Sequence, residues 1–370
     1  MQPETLALHA AELSVYGSVA SPIVLSTTYE RDADNQLVSE YFYSRTGHPN
    51  RQAFEQIVSA LEGGTVAAAF ASGNAATQAV MHALAPGDHV IAPVDIYFGT
   101  RAVIESLYTR WGLQVSFVDT TDLDAIKAAW QPTTKLVWIE TPSNPRLRIT
   151  DIAAAAELAH ARGALLAADN TWATPICTRP FEHGADIVMH STTKYFGGHS
   201  DTLSGLIVMR DSNEFFERIR TMQTIGGTGA APFDCWLLQR SVATMAVRVE
   251  RQSQSAAQLA EALSQHTRIA NVNYPGLASH AGHAIAARQM RPFGGMLSIE
   301  VAGGAEEALR MIGKVQLFKR ATSLGGVESL IEHRASVEGP QSKTPPNLLR
   351  VSVGLEHADD LLADLLQALD

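Results

Sequence analysis

The chain has 370 residues, of which 46% are hydrophobic and 18% charged, and its formal net charge is −10. That length holds one large and one smaller domain, each with its own core, and the composition is that of a globular chain rather than a disordered one. The acidic balance argues against nucleic acid or an anionic membrane as partner, and no stretch approaches the ~18 apolar residues of a membrane span.

Residues 1–48 alternate short apolar pieces with Gly, Ser, Pro and charges, and read as an extended arm. The first five residues carry neither a positive n-region nor an apolar h-region, so no signal peptide is read. From Arg51 onward, helix-like and strand-like segments take turns. Strands are expected over 66–71, 89–92, 115–118, 136–140, 165–169, 187–190 and 206–209, and helices over 76–84, 101–108, 123–129 and 152–161. Fully apolar strands alternating with helices predict an α/β fold with a mostly parallel sheet covered on both faces. A helical stretch over 235–263, rich in Arg, Gln and Ala, leads into a second domain. That domain closes with a strand over 348–352 and an amphipathic helix over 359–369, after a loop over 338–346. The expected division is 1–48, 49–242 and 243–370. Cys177 and Cys235, far apart and in no CxxC pattern, read as buried free thiols in a reducing, cytoplasmic compartment. The thirteen histidines are scattered without an HExxH, so no metal is expected.

Polar residues gather where those strands end. Ser72-Gly73-Asn74 follows the first, Tyr97 the second, Ser143-Asn144 the fourth, Asp169 the fifth and Ser191–Lys194 the sixth. Open α/β sheets bind ligands beyond the carboxyl ends of their strands. Lys194 is set among small hydroxyl residues just before Gly197-Gly198. This suits a lysine that forms a Schiff base with an aldehyde cofactor, which needs a fixed strand end, hydroxyls for a phosphate and no bulk beside the ring. Pyridoxal 5'-phosphate (PLP) also needs a carboxylate for its pyridinium nitrogen, and Asp169 fits that part, although an Asp before Asn-Thr also suits a turn. A PLP enzyme is therefore expected. No GxGxxG follows the first strand, which sets aside a hydride-transferring nucleotide enzyme.

Six motifs occur in order: Tyr43-Ser44-Arg45-Thr46-Gly47-His48-Pro49-Asn50-Arg51, Leu61-Glu62-Gly63-Gly64, Glu140-Thr141-Pro142-Ser143-Asn144-Pro145, Asp169-Asn170-Thr171, Ser191–Lys194 with Gly197-Gly198-His199-Ser200-Asp201, and Ser323-Leu324-Gly325-Gly326-Val327-Glu328-Ser329-Leu330. With these the chain resembles, nearly end to end, the Cys/Met-metabolism PLP-dependent family of cystathionine synthases and lyases, methionine γ-lyases and O-acylhomoserine sulfhydrylases. The resemblance implies a fold type I, aspartate-aminotransferase-like PLP-dependent transferase with a smaller C-terminal α/β domain. It makes 49–242 the PLP-binding domain. Lys194 would hold the cofactor and shuttle protons, with Asp169 on the pyridinium nitrogen. Gly73, Asn74, Ser191 and Thr193 would take the phosphate. Tyr97 would stack on the ring and accept a proton from the incoming amine. Arg350, helped by Asn144 and Ser323, would grip the α-carboxylate. Tyr43 and Arg45 would complete a neighbouring subunit's site, which implies at least a dimer; the family is usually a homotetramer. His199 is expected to order its loop, and Glu328 to be structural.

Departures bear on the reaction. Synthases and γ-lyases commonly carry Glu where Thr322 stands, and β-lyases an aromatic before and Trp after Ser323, where this chain has Thr322 and Leu324. Methionine γ-lyases usually have Cys at the position of Gly99. The distal arginine of many relatives is replaced by Ala102, with Arg101 one position earlier. On Ser323–Leu330 and 43–51 the chain looks most like a cystathionine γ-synthase, which exchanges the γ-acyloxy group of an O-acylhomoserine for the thiol of cysteine. The alternatives are a cystathionine γ- or β-lyase, after these an O-acylhomoserine sulfhydrylase or methionine γ-lyase, and, in a different class, a catalytically silent PLP-binding scaffold, against which the intact Lys194, Asp169, Tyr97 and Arg350 argue.

Overall fold

The structure is a computed structural model, and it describes residues 1–11, 13–15, 17–339 and 342–370. Seven strands form the first sheet: β1 (Val66–Phe70), β2 (His89–Pro93), β3 (Gln114–Val118), β4 (Thr134–Glu140), β5 (Leu165–Asp169), β6 (Ile187–His190) and β7 (Gly205–Met209). Their order is β1-β7-β6-β5-β4-β2-β3. Strands β2 to β6 pair in parallel, while β7 runs antiparallel to both β1 and β6. The sheet is thus mixed, with one strand reversed among parallel ones.

Side chains on a strand alternate between faces, and here both faces are buried. In β4, Val137 and Ile139 join one apolar cluster with Phe54 and Leu166, whereas Leu136 and Trp138 join the other with Val90 and Ile207. This is why the strands read as continuous apolar runs. Cα partners place Glu140 of β4 opposite Asp169 of β5, so two carboxylates arrive side by side at the carboxyl edge.

The second sheet holds β8 (Ile269–Asn273), β9 (Met296–Val301), β10 (Lys319–Arg320), β11 (Leu330–His333) and β12 (Leu348–Ser352), in the order β10-β11-β12-β9-β8. Leu297, Ile299, Ile331, Leu349 and Val351 pack with Leu259 and Leu365 of the covering helices Met245–Ser264 and Ala358–Leu369. β12 is central and antiparallel to both β9 and β11, and its register sets Arg350 opposite Glu332.

Three expectations change. The helical stretch over 235–263 is two helices, Pro232–Val242 and Met245–Ser264. The break is held at the carbonyl of Ser241, which accepts from Thr244 N–H and Thr244 Oγ1 at 3.1 Å each and from Arg248 Nη2 at 2.9 Å. The helix expected over 101–108 begins at Phe98, turns π-helical over Ile104–Tyr108 and continues as α-helix over Thr109–Trp111. The arm is not extended throughout: Pro3–His9 is a helix with Pro in its first turn, and it buries Ala7. Residues 12 and 16 of the arm lie outside the described residues. So do 340 and 341 of the loop expected over 338–346, whose first residue, Glu338, ends the helix Arg334–Glu338. Cys177 and Cys235 are both buried and unpaired. Among the described residues no helix is long and apolar enough to cross a membrane.

Candidate active site

A cavity of about 310 Å³ opens where the carboxyl edge of the first sheet meets the loop 322–324 and β12 of the second. It is lined by Gly73, Asn74, Tyr97, Asn144, Asp169, Ser191, Thr193, Lys194, Ser323 and Arg350, which are the expected site residues apart from Tyr43 and Arg45. Among the described residues no group of three His, Cys, Asp or Glu side chains could hold a metal ion.

Lys194 stands in the turn after β6, where its N–H bonds Ser191 O at 3.1 Å and Gly198 N–H bonds its carbonyl at 2.7 Å. Its Nζ donates to Ser323 Oγ at 2.9 Å. Burial, then the Arg350 guanidinium, push the ammonium down to about 8, with Arg334 adding to the fall and Glu332 opposing it. A lysine tuned in this way is readily an unprotonated amine, the form that attacks an aldehyde and takes up a proton.

At the other side of the cavity Asp169 Oδ1 accepts the Thr171 N–H at 3.0 Å. Burial raises Asp169, against hydrogen bonds from Thr171 and the influence of His190. Glu140, 4% exposed, is raised well above the ordinary range by burial and then by Asp169. Two adjacent buried carboxylates are poorly placed without a cation, and a pyridinium ring nitrogen beside Asp169 supplies one.

Ser72 caps the helix Gly73–His82, its Oγ accepting Ala75 N–H at 3.1 Å, so the free amides of that first turn face the cavity edge. A Cβ on Gly73 would lie 2.9 Å from Ser191 Cβ; glycine keeps this corner open for a phosphate. Thr193 Oγ1 donates to Ser204 O at 3.1 Å, which fixes its loop. The cradle, the lysine and the carboxylate therefore fit PLP.

Tyr97 is held through its backbone, whose N–H donates to Glu140 Oε2 at 2.8 Å. A Cβ on Gly99 would stand 2.5 Å from Tyr97 Cε1, so the ring occupies the space that a larger residue at 99 would need. Burial raises the Tyr97 phenol, and Arg334 and Arg350 draw it back. Arg350, 4% exposed, donates through Nη1 to Asn144 Oδ1 and through Nη2 to Ser323 O, each at 3.1 Å. Ser323 adopts φ +119°, and from that conformation its hydroxyl meets Lys194 while its carbonyl meets Arg350.

Sequence reasoning missed four participants. Glu140 Oε1 also accepts Asn144 N–H at 3.0 Å, so one carboxylate aligns both Tyr97 and Asn144. Thr171 Oγ1 accepts Ser191 N–H at 2.9 Å, tying the Asp169 loop to the Lys194 loop. Glu332 Oε2 lies 2.7 Å from Arg350 Nη2 and 2.8 Å from Arg334 Nη1, and its Oε1 accepts from Thr322 at 2.5 Å. The buried Arg350 thus has a protein counter-ion, Glu332, besides the expected partners Asn144 and Ser323. Arg334 lines the cavity and lies two residues beyond Glu332. The signal for Glu140 was present, as the last residue of β4; the others depend on pairings between distant segments.

Arg101 is turned elsewhere. Its Nη2 donates to Val94 O at 2.8 Å, its Nη1 pairs with Glu105 at 3.0 Å, and its Cζ is 3.8 Å from the Phe117 ring centroid. Tyr43 is 40% exposed, and Arg45 Nη1 donates to Thr224 O at 2.8 Å; neither lines this chain's cavity. His199 Nδ1 is 2.8 Å from Gly197 O and 3.2 Å from Ser241 Oγ, bonds that order its loop. Glu328 Oε1 accepts from Ser200.

The α/β fold and this constellation define a PLP-dependent enzyme. The chain belongs to the family described as Cys/Met metabolism PLP-dependent enzyme, whose model matches residues 4–370. It is 46% identical over 375 aligned positions to a cystathionine γ-synthase of Mycobacterium tuberculosis, covering 99% of this chain and 96% of that protein. It is 43% identical to a cystathionine β-lyase of Coxiella burnetii, covering 99% and 97%. Among solved structures, metB from Corynebacterium glutamicum superposes with a TM-score of 0.96 at 44% identity, covering 100% and 98%. A cystathionine γ-lyase from Lactobacillus plantarum, complexed with L-serine, gives 0.94 at 38%, with the same coverage.

Proposed function

We propose that this protein is a cystathionine γ-synthase, which replaces the γ-acyloxy group of an O-acylhomoserine with the thiol of cysteine. The observation that carries the reading is that Ser323 joins Lys194 Nζ to Arg350, so an α-carboxylate on Arg350 presents its α-carbon to the lysine. PLP, when bound, supplies the electron sink that makes carbanions at the α- and β-carbons accessible. Arg350 and Asn144 orient the substrate carboxylate through a planar fork. The Tyr97 phenol, kept protonated by burial, lines the cavity where it can hydrogen-bond the incoming substrate. Lys194, with its depressed affinity for protons, would take the α-proton and pass it on within the bound complex, which frees the amine to take the β-proton as the acyloxy group leaves as a carboxylate. It would return protons to the β- and α-carbons once the thiol has added at the γ-carbon. Trp172 and Leu324, both buried, supply apolar walls that limit water. The synthase relatives and the segments 43–51 and 323–330 support this choice.

A lyase that cleaves cystathionine is the second reading, favoured by relatives with that name. A paired endpoint assay separates the two. Cystathionine formed from O-acetyl- or O-succinylhomoserine and cysteine, and persisting when supplied alone, supports the synthase. Cystathionine consumed when supplied alone overturns it, and 2-oxobutanoate or pyruvate then identifies the bond cleaved.

The division into 1–48, 49–242 and 243–370 belongs to the same proposal, as does a homotetramer in which Tyr43 and Arg45 complete a neighbour's site. Mixed oligomers carrying Arg45→Ala in some subunits are expected to show weakened cofactor affinity in sites next to the altered subunits. Unaffected sites throughout would refute the sharing.

A further inference from the structure

Arg334 has no role in the reaction outlined above, yet it is one of three cationic side chains lining the cavity, with Lys194 and Arg350. It opens the helix Arg334–Glu338 directly after β11 and is 1% exposed. Its Nη1 donates to Glu332 at 2.8 Å and its Nη2 to Glu338 at 3.0 Å, while its Nε–H is buried without a partner. Arg334 lines the cavity, whereas neither glutamate does.

The counter-charge is also divided. Glu332 serves Arg350 as well as Arg334. Glu338 Oε2 accepts from the hydroxyls of Ser342 and Thr344, at 2.6 and 2.7 Å. A buried guanidinium with an unused donor and shared carboxylates is costly to keep, and a ligand anion lowers that cost. The neighbouring lining, Thr100, Leu203 and Thr322, is uncharged, and Arg101 is committed to Val94 and Glu105 outside the cavity.

We propose that Arg334 is a second anion-binding group of this cavity and selects amino acids that carry a carboxylate at the far end of the side chain or γ-substituent. A guanidinium matches a carboxylate through its planar fork, and the hydroxyl of Thr322 leaves room and a neutral edge where a glutamate would repel the ligand. In its homoserine-ester form the inference rests on the synthase reading: O-succinylhomoserine ends in a carboxylate, whereas O-acetylhomoserine ends in a methyl group.

The test begins with holoenzyme titrated with 2-aminoadipate and with norleucine, which differ in a terminal carboxylate against a methyl group, followed through the absorbance of the bound cofactor. Wild type is expected to bind 2-aminoadipate at least about tenfold more tightly. Arg334→Gln is expected to erase the preference, and Arg334→Lys to keep part of it. The ratio of kcat/KM for the succinyl over the acetyl ester falls at least about tenfold in Arg334→Gln, through KM. Equal binding of the two amino acids by wild type overturns the proposal, and that result needs no variant to fold. So does an Arg334→Gln variant that weakens both ligands alike, which would mark a structural role. If 2-aminoadipate is preferred but neither ester turns over, the synthase reading fails and the anion site stands. If both esters turn over without a preference for the succinyl group, the anion site fails and the synthase reading stands.

Discussion

The cavity has two ends, and different kinds of sheet build them. The end we assign to the cofactor comes from the carboxyl ends of strands that run in one direction: Gly73 after β1, Tyr97 after β2, Asp169 at the end of β5 and Lys194 after β6. The end we assign to the substrate comes from an antiparallel strand pair, where Arg350 of β12 faces Glu332 of β11 and donates to the carbonyl of Ser323. In the first, each group is set by its own strand, and one carboxylate, Glu140, aligns two loops. In the second, charged groups hold one another: Glu332 bridges Arg350 and Arg334. Damage at the first end should therefore remove chemistry, and damage at the second should remove binding.

The largest effect tests the first half of that comparison. Lys194→Ala is expected to lower kcat by about 10³-fold or more, since it removes both the anchoring amine and the proton carrier. Borohydride reduction followed by intact-mass measurement should find no cofactor fixed to the chain. Turnover near the wild-type value would end the assignment. At the other end, Arg350→Gln should lower kcat/KM by about 10²–10³-fold, mostly through KM, because the α-carboxylate loses its paired guanidinium. Cofactor affinity should remain. A loss confined to kcat would place Arg350 in the chemistry and remove the contrast between the two ends.

The same contrast explains what could be read from the sequence. Strand–loop–helix units announce their ends locally, so the bounds of β5 and β6 and the residues after them were legible from apolar runs and small residues. Glu332 and Arg334 were not, because their meaning lies in the pairing of Leu330–His333 with Leu348–Ser352, segments separated by a helix and a loop. The Ser323 turn depends on φ +119°, a value no residue type announces except glycine. Nor could one helical step decide the direction of Arg101, which Phe117 and Val94 settle from other elements.

A smaller effect sharpens the claim that backbone alignment matters at the cofactor end. Glu140→Gln keeps the shape and one acceptor oxygen but turns the other into an N–H₂ facing a backbone N–H. Either Tyr97 or Asn144 then loses its partner, and kcat/KM should fall about tenfold, the cost of a single buried hydrogen bond. Wild-type kinetics would show that neither loop needs this clamp.

The smallest effect concerns stability. The Lys194 ammonium has its midpoint at about 8 in the folded, cofactor-free chain, against 10.5 for an ordinary lysine. Below about 8 both folded and unfolded chains carry the proton, and the folded state bears the full burden of a buried charge. Between about 8 and 10.5 the unfolded chain binds more protons than the folded one, so stability from this group rises with pH across that window. Lys194→Met removes the burden. The cofactor-free variant should therefore melt about 2–5 °C above cofactor-free wild type at pH 7, and this advantage should shrink steadily as pH rises through about 8 toward 10.5. An advantage that stays constant across the window would mean that the methionine gains by packing alone. The lysine would then hold its charge at the strand end without cost, and the reading of Lys194 as a tuned amine would lose its electrostatic basis.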